Sequence, residues 1–346
     1  MTPGKFWGLR RMADAGGRFK MLAVDQRPPI KNKVMAARGE DAPRYDDVRA
    51  VKRALMEALA PRSTAVLADP TYALSDALSI LSPGQGLVVT LEDSVFGEGT
   101  DGRLSKAIDD WSVSKIKRIG GDAVKVLTWF HPEQDAASRQ AQLDFTKQVG
   151  EACARYDIAF LLEMLLYPLA GDAEQTKDYV EQSGKRADHV LKTVEIMAAP
   201  DFGVDVFKLE SPLPAKQVPP PGDSATAALF AEMGRLANRP WVMLSAGATQ
   251  EAFRNVLHYA FDAGASGFLA GRAIWWDAFQ HFPDMTSMNA DLQGQAADYM
   301  AELNALADAK ATSWIEWFED VGGPRPEGWD SEWMQGGYAD LEGNLR

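Results

Sequence analysis

Two lysines of this sequence lie inside apolar segments, a setting that can give a lysine covalent chemistry. Lys125 stands in AVKVLT and Lys208 in VDVFKLE. Because burial of an ammonium group is costly, such a lysine is expected to lose its proton more readily or to pair with an acid. A lysine that is neutral part of the time attacks carbonyl groups and forms a Schiff base. We therefore favour Schiff-base chemistry over the alternative of two structural ion pairs.

Glu163 is the first candidate for moving protons near these lysines. It ends the apolar segment IAFLLE, which lies between the two lysine segments in the chain. If these segments are successive strands of a parallel barrel, Glu163 adjoins both lysines. A carboxylate within reach of a Schiff base can take protons from the substrate and return them. The alternative role is that of a counter-ion, and the position of Glu163 favours catalysis.

Small residues follow the last two apolar segments and predict an anion site. The segments end in Ser245-Ala246-Gly247 and in Ala270-Gly271-Arg272. Small side chains let backbone N–H groups approach a phosphate, and the loops after the last two strands of a barrel often bind one. The guanidinium group of Arg272 adds a fork that suits phosphate or sulfonate.

Metal chemistry has little support in the sequence. The histidines have neither the HxH nor the HExxH spacing of metal sites. They are His131, His189, His258 and His281. A magnesium ion held by Asp25, Asp69 or Glu92 stays open, because these acids follow the first three apolar segments. We expect no metal and no separate cofactor.

Eight short apolar segments must position these residues. Continuous apolar runs of this length are typical of strands that are buried on both faces of a parallel sheet. The predicted strands are 19–25, 64–69, 86–92, 123–128, 158–163, 204–210, 240–245 and 267–271.

Helical patterns alternate with the predicted strands. They span 45–59, 111–120, 136–156, 174–197, 225–236 and 250–263. From residue 19 to residue 267 the strands recur about every 35 residues, the size of a strand plus its return helix. The fold class predicted is α/β, a (β/α)8 TIM barrel with a C-terminal helical extension. The alternative, a doubly wound sheet, would want a glycine-rich turn after the first strand, where the chain has DQRPP.

The chain divides, on this prediction, into a barrel over residues 1–285 and an extension over residues 286–346. A helix is expected over 288–310, followed by a segment rich in glycine, proline and acid. Trp329 and Trp333 lie in that segment. Since a free tail rarely carries two tryptophans, we expect it to pack on the barrel or at a subunit interface of a homo-oligomer.

Composition and charge disfavour some classes of binding partner. The 346 residues carry a formal net charge of −13, which disfavours nucleic acid as a partner. The single cysteine, Cys153, fits a reducing compartment. No segment approaches the ~18 uninterrupted apolar residues of a membrane span, and the N-terminus lacks the apolar core of a signal peptide. We expect a cytoplasmic protein without a membrane partner.

Several long motifs resemble one enzyme family. They are MLAVDQR at 21–27, LADPTYAL at 67–74, WSVSKIKRIGGDAVKVL at 111–127, FLLEMLLYPL at 160–169, DVFKLESP at 205–212, LSAGATQEAF at 244–253 and GFLAGRAIW at 267–275. Together they resemble the class I tagatose 1,6-bisphosphate aldolases and their sulfofructose-phosphate aldolase relatives, within the Schiff-base barrel aldolases. The resemblance covers roughly residues 15 to 285.

This resemblance implies a role for each matched position. It implies that Lys208 forms the Schiff base, Glu163 transfers protons and Lys125 is a second active-site lysine. Other matched positions line the substrate or bind its phosphate. They are Asp25, Gln26, Arg27, Ser245, Gly247, Gly271 and Arg272. The implied reaction is the reversible, metal-independent cleavage of a phosphorylated ketose to dihydroxyacetone phosphate and an aldehyde such as glyceraldehyde 3-phosphate.

The sequence also departs from the family pattern. Pro28-Pro29 follow DQR where the family continues with Gly-Ser, and residues 212–222 are rich in proline. We expect both regions to contact the far end of the sugar, so the aldehyde stays open between glyceraldehyde 3-phosphate, sulfolactaldehyde and an uncharged aldehyde. The cations available for a second anion are Arg27, Lys31 and Lys33.

Two other functions compete with an aldolase. A sugar-phosphate isomerase or epimerase would use Glu163 as a base without a covalent step. A sugar-phosphate-binding regulator on a decayed barrel would have no need for Lys125, Glu163 and Lys208 together, and the presence of all three argues against it.

Overall fold

A computed structural model, which describes residues 1–98, 102–172 and 181–321, gives the architecture. Within these residues the strands are β1 (Phe19–Ala23), β2 (Ala65–Ala68), β3 (Gly86–Thr90), β4 (Gly97–Glu98), β5 (Arg103–Leu104), β6 (Ala123–Trp129), β7 (Ala159–Leu165), β8 (Val206–Leu209), β9 (Trp241–Met243) and β10 (Gly267–Ala270). Eight of them close into a parallel barrel in the order β1-β10-β9-β8-β7-β6-β3-β2, and β4 and β5 form a separate antiparallel pair. The predicted (β/α)8 barrel and all eight of its strands are confirmed.

Helices follow the barrel strands and surround them. They are α1 (Pro3–Met12), α2 (Pro28–Arg38), α3 (Tyr45–Leu59), α4 (Leu74–Ile80), α5 (Val113–Arg118), α6 (Ala136–Arg155), α7 (Ala187–Met197), α8 (Ser224–Ala237), α9 (Gln250–Asp262), α10 (Arg272–Phe279), α11 (Met285–Asp291) and α12 (Ala297–Lys310). A π-helical turn, Leu292–Ala296, joins α11 to α12. Each helix predicted from the sequence corresponds to one of these, but the helix predicted over 174–197 is too long: α7 begins at Ala187, residues 181–186 are not helical, and residues 174–180 lie outside the described residues.

Alternate residues of each barrel strand face two different apolar clusters, which explains the continuous apolar runs. On β1, Met21 packs in the cluster inside the barrel, and Leu22 packs in the cluster between the strands and the outer helices. On β7, Leu161 and Leu162 divide in the same way. Both faces of every such strand are therefore removed from water, as expected for a parallel sheet.

Helix α1 packs against the end of the barrel where the strands begin. Leu9 and Met12 join the inner cluster. The side chain of Asp157, just before β7, accepts hydrogen bonds from the backbone N–H of Gly4 (2.7 Å) and of Lys5 (3.0 Å) and so caps the helix N-terminus. This packing covers the end of the barrel where the strands begin.

The C-terminal helices pack into the same core as the barrel. Met288, Leu292, Met300 and Leu303 are fully buried in the outer cluster. Trp329 and Trp333, and with them the predicted extension beyond residue 321, lie outside the described residues. In the described residues, no helix combines the length and apolar character needed to cross a membrane.

Candidate active site

A cleft of about 570 Å³ opens at the end of the barrel where the strands finish. Its walls come from residues within or just after β1, β3, β6, β7, β8, β9 and β10. They are Ala23, Asp25, Gln26, Arg27, Pro28, Pro29, Glu92, Ser94, Lys125, Glu163, Leu165, Lys208, Leu244, Ser245, Ala246, Leu269, Gly271 and Arg272. The position matches the usual location of active sites in this fold.

Strand register places the predicted charged residues on adjoining strands that line the cleft. Glu163 of β7 is the direct partner of Lys208 on β8, and Lys125 of β6 is the partner of Thr90 on β3. All three charged side chains are at least nine-tenths buried. The fold therefore assembles, from segments far apart in the chain, the group that the sequence predicted.

Lys125 is the centre of the charged group. Its Nζ lies 3.0 Å from Oδ2 of Asp25, 2.6 Å from Oε1 of Glu92 and 2.8 Å from Oε2 of Glu163. Three carboxylates around one ammonium group compensate for its loss of water. The five residues Asp25, Glu92, Lys125, Glu163 and Lys208 are called the charged cluster below.

One oxygen of Glu163 connects the two lysines. Oε2 of Glu163 lies 2.8 Å from Nζ of Lys125 and accepts a hydrogen bond of 2.9 Å from Nζ of Lys208. A carboxylate so placed can exchange protons with a group bound on either lysine. The arrangement also holds the two amino groups on the same side of the cleft.

The charges of the cluster shift the pKa values of its acids. Burial alone would raise the pKa of Asp25 and of Glu163, but the positive charges of Lys125 and Lys208 outweigh it and hold both values below the ordinary range. Burial would lower the pKa of Lys125, and the surrounding carboxylates reverse that effect and raise it well above the ordinary value. Lys125 is therefore charged, and Asp25 and Glu163 are ionised, at neutral pH.

Glu92 belongs to this cluster although the sequence analysis gave it no catalytic role. Burial raises its pKa despite the opposing charges of Lys125 and Arg27. The sequence offered one signal, which is that Glu92 comes just after β3, the strand that lies beside the Lys125 strand β6. Position alone could not show which of several strand-end acids would reach the lysine.

The loops after β9 and β10 meet at the other side of the cleft. Ala246 and Gly247 both have positive φ angles, 46° and 84°, which turn the chain sharply after β9. A side chain on Gly271 would come within 2.6 Å of the Ala23 carbonyl oxygen, so glycine allows this loop to approach β1. Gly271 is also the N-cap of α10, so the first backbone N–H groups of this helix and the positive end of its dipole lie at this corner and suit an anion.

Arg272 and Ser245 supply side chains to the same corner. Both line the cleft, and the guanidinium carbon of Arg272 lies 3.4 Å from where a side chain on Gly247 would begin. Gly247 itself is not among the lining residues, and its contribution is the space it leaves for Arg272. The corner has the small residues, helix N-terminus and arginine that a phosphate group requires.

The residues after β1 form the wall beside this corner, since β1 pairs with β10. The Nη2 of Arg27 donates to the backbone oxygen of Glu92 at 2.9 Å and lies 3.8 Å from Oε1 of the same residue. The amide group of Gln26 reaches toward Gly271, where a side chain would lie 2.8 Å from its Nε2. Pro28 and Pro29, the first residues of α2, line the cleft, and their contact with the far end of the sugar stays a prediction.

Several residues considered from the sequence lie elsewhere. Residues 212–222 were expected to contact the far end of the sugar, but none of them lines the cleft, because the chain leaves β8 toward α8. Lys31 and Lys33 lie on α2 outside the cleft, and Lys33 donates to Oε1 of Gln280 at 2.9 Å. Of the three cations named for a second anion, Arg27 alone lines the cleft.

Two strand-end acids are structural. Asp69 forms a fully buried ion pair with Lys52, whose Nζ also donates to the Val24 backbone oxygen at 2.8 Å. Glu210 accepts hydrogen bonds from Nζ of Lys185 and from the backbone N–H of Leu166. Neither acid lines the cleft.

The donor sets for a metal ion are already engaged. Of the acids considered for magnesium, Asp25 and Glu92 hold the Lys125 ammonium group, and Asp69 holds Lys52. A positive charge therefore occupies the position that a cation would take between Asp25 and Glu92.

Two histidines that are isolated in the sequence meet outside the cleft. The rings of His131 and His189 lie with centroids 4.7 Å apart, and Glu133 completes a set of possible metal ligands. However, Nδ1 of His131 faces the backbone N–H of Glu133 at 3.1 Å. In the neutral ring this contact places the proton on Nε2, which opposes metal binding through that atom.

Comparison with known proteins supports the family resemblance. The model of the DeoC/LacD aldolase family matches residues 19–277. The tagatose 1,6-diphosphate aldolase of Listeria monocytogenes serotype 4a is 32% identical, over 93% of this chain and 97% of that protein. Tagatose 1,6-diphosphate aldolase 2 of Streptococcus agalactiae is 30% identical, over 91% of this chain and 99% of that protein.

Solved structures share the fold at lower identity. A Schiff base forming fructose-1,6-bisphosphate aldolase superposes with a TM-score of 0.55 at 16% identity, over 88% of this chain and 99% of that chain. The fructose-bisphosphate aldolase of Plasmodium falciparum superposes with a TM-score of 0.63 at 11% identity, over 89% and 95%. Since the family model spans most of the chain and the curated relatives span nearly all of it, this protein belongs to the DeoC/LacD family of aldolases.

Proposed function

We propose that this protein is a class I aldolase in which Lys208 forms a Schiff base with a phosphorylated ketose. The observation that carries the proposal is the bridge formed by Oε2 of Glu163 between Lys125 and Lys208 inside the cleft. A nucleophile, a proton-transferring carboxylate and a charged lysine thus lie within hydrogen-bond reach, opposite a corner suited to phosphate.

The reaction begins on Lys208. Glu163 takes a proton from Nζ of Lys208, and the resulting amine attacks the ketose carbonyl carbon to form a carbinolamine. Glu163 then returns that proton to the carbinolamine hydroxyl, which leaves as water, and a protonated imine remains. Glu163 then takes the proton from the C4 hydroxyl, and the bond between C3 and C4 breaks. The electron pair of that bond moves into the imine as an enamine, while C4 leaves as the aldehyde. Glu163 gives the proton that it took from the C4 hydroxyl to C3, and hydrolysis of the imine by water releases dihydroxyacetone phosphate and restores Lys208.

Lys125 acts in this scheme as a fixed positive charge. Asp25, Glu92 and Glu163 keep its pKa high, so it stays an ammonium group throughout. Its Nζ lies 2.8 Å from the Glu163 oxygen that it shares with Lys208, and from this position it holds the substrate oxygen at the reacting centre. Its charge stabilises the alkoxide as the proton leaves the C4 hydroxyl.

The substrate is a ketose whose C1 phosphate binds at Ser245, Gly271 and Arg272. Two of the curated relatives are named for tagatose 1,6-diphosphate, and we infer a substrate of that class for this chain. Its far end then meets Arg27, Pro28 and Pro29, and the aldehyde product is glyceraldehyde 3-phosphate or a close analogue. The scheme uses no metal ion, and we infer a cytoplasmic location from the sugar-phosphate substrate.

Borohydride trapping tests the covalent step. Dihydroxyacetone phosphate and borohydride are added to the protein with and without EDTA, and peptide mass mapping locates the reduced adduct. We expect an adduct on Lys208 that is insensitive to the chelator, and none in Lys208→Met. The same variant should lose aldol cleavage of tagatose 1,6-bisphosphate by at least about 10³-fold, because the covalent route is closed.

The competing outcomes are distinct. An adduct on Lys125 in place of Lys208 would reverse the roles assigned to the two lysines. Turnover that persists in Lys208→Met would contradict the covalent mechanism and favour an isomerase or epimerase with Glu163 as its base.

A further inference from the structure

Glu92 is a buried member of the charged cluster whose part in the reaction has not been assigned. It follows β3 by two residues, its side chain is 3% exposed, and it lines the cleft. A carboxylate buried to this extent is costly unless its contacts repay the loss of water. Its contacts therefore indicate what it is retained to do.

The strongest contact of Glu92 is with Lys125. At 2.6 Å, Oε1 of Glu92 is the nearest of the three carboxylate oxygens to that Nζ, compared with 2.8 Å for Glu163 and 3.0 Å for Asp25. From the other side, Nη2 of Arg27 donates to the backbone oxygen of Glu92, which fixes the residue in the wall. Within the described residues the second oxygen of Glu92 has no hydrogen-bond partner, so a single oxygen makes the contact to Lys125.

The proposed reaction and the family resemblance give the other two carboxylates of the cluster a part at the substrate, but they give none to Glu92. Glu163 becomes neutral when it takes the substrate proton, and its attraction for the Lys125 ammonium group then weakens. Asp25, which also accepts a contact of 3.5 Å from Thr90, matches a position that lines the substrate hydroxyls. Glu92 thus offers Lys125 an anchor that does not depend on the proton of Glu163.

We propose that Glu92 is a positioning residue that keeps the Lys125 ammonium group at the reacting centre while Glu163 gains and loses its proton. This inference rests on the proposed function, since it assigns Lys125 and Glu163 the roles given there. Glu92 does not itself exchange a proton with the substrate in this scheme.

The test compares Glu92→Gln with a matched control, Asp93→Asn. The control makes the same change at the next residue, whose carboxylate lies 3.5 Å from Lys106 and outside the cleft. For Glu92→Gln we expect kcat for tagatose 1,6-bisphosphate cleavage to fall about 10- to 100-fold, the loss typical of one hydrogen bond between charged groups. KM should change little, because the phosphate corner is untouched, and Asp93→Asn should match the wild type in both constants.

The pH profile separates positioning from a general loss of structure. The charged groups that face Glu92 are Lys125, Arg27 and Asp25. Because burial raises the pKa of Glu92, acid neutralises this anchor before it neutralises Asp25 or Glu163. The wild type should therefore lose kcat as the pH falls into the acidic range, and the ratio of wild-type to Glu92→Gln kcat should shrink in parallel. A purely structural defect would leave that ratio constant.

The Glu92→Asp variant and the trapped adduct on Lys208 provide two further tests. Aspartate keeps the negative charge but places it farther from Lys125. We therefore expect a lower kcat that still falls as the pH becomes acidic. This variant carries the test if Glu92→Gln does not fold by circular dichroism. Wild-type kcat and pH profile in a folded Glu92→Gln, or in Glu92→Asp, would overturn the inference. The wild-type adduct on Lys208 is the independent check, because its absence would overturn the proposed function itself.

Discussion

At the scale of single residues, a charge buried near a strand end takes one of two forms in this molecule. Lys52 and Asp69 form a closed pair, fully buried and outside the cleft. Lys125 instead has three acids within 3.0 Å, and all three, Asp25, Glu92 and Glu163, also line the cleft. A closed pair serves the fold, whereas an excess of acids around one lysine leaves groups that can act on a ligand.

The shifted pKa values predict opposite effects of pH on stability at two acids of the cluster. The pKa of Asp25 is lowered, so its contribution to stability is present above the ordinary aspartate value of about 3.9 and is lost as the pH falls toward its lower folded value. The free energy of unfolding of the wild type relative to Asp25→Asn should therefore decrease as the pH is lowered below about 4. Urea unfolding between pH 3 and 7 measures this difference.

Glu92 provides the control for that measurement, because its effect on stability should change with pH in the opposite direction. Its pKa is raised by burial, so the folded state prefers its protonated form. The wild type should accordingly lose stability relative to Glu92→Gln as the pH rises above the ordinary glutamate value. Equal slopes for the two variants would contradict the opposite shifts of the two acids.

The sequence pointed to the two lysines of the cleft because their type conflicted with their setting. Lys125 and Lys208 are conspicuous because a lysine within an apolar strand requires an explanation. Lys52 is equally buried, but it lies in a helical pattern with charged neighbours, where a lysine ordinarily faces water. The partners of Lys125 were uncertain because strand register, which selects among strand-end acids, cannot be read from the apolar runs.

At the scale of elements, the strands were predictable and some helices were not. The barrel strands are buried on both faces, so each appears as an uninterrupted apolar run. Helix α2 begins at Pro28-Pro29, which the sequence suggests as a break in the chain, although proline is well suited to the first turn of a helix. The pair β4 and β5 has two residues in each strand, too short for any periodic pattern.

Close packing of α1 against the barrel predicts a sharp effect of one methyl group. A side chain on Gly8 would begin 2.4 Å from the backbone oxygen of Asp122, just before β6. We expect Gly8→Ala to lower the free energy of unfolding by about 1–3 kcal/mol, because α1 must move away from the end of the barrel where the strands begin. Denaturant unfolding measures the loss, and kcat should be unchanged, since α1 lies at the opposite end from the cleft.

Gly84 is the matched control for this prediction. No atom lies within 4 Å of where its side chain would begin, and its backbone needs no positive φ. Gly84→Ala should therefore be neutral or slightly stabilising. An equal loss in both variants would show that the close contact at Gly8 is not the cause.

At the scale of the whole molecule, an acidic protein must bind an anionic substrate. The net charge of −13 repels a sugar phosphate at long range. Within the cleft, however, Arg27, Lys125, Lys208 and Arg272 face three acids, and the helix N-terminus at Gly271 adds a partial positive charge. Binding of the substrate then depends on short-range contacts in the cleft rather than on the electrostatic field of the whole protein. Self-association, which we expect from the sequence, stays a prediction for hydrodynamic measurement.

This local origin of anion binding makes a testable difference between ions. Inorganic phosphate should raise the melting temperature of the wild type above that in sodium chloride of equal ionic strength, because only phosphate fits the corner at Arg272. At about 100 times its Kd the stabilisation would be about 2.7 kcal/mol. Arg272→Gln should lose the phosphate-specific rise. Arg235→Gln, which removes an exposed arginine paired with Glu232 on α8, should keep it. A rise of the same size in Arg272→Gln would locate the anion site elsewhere on the molecule.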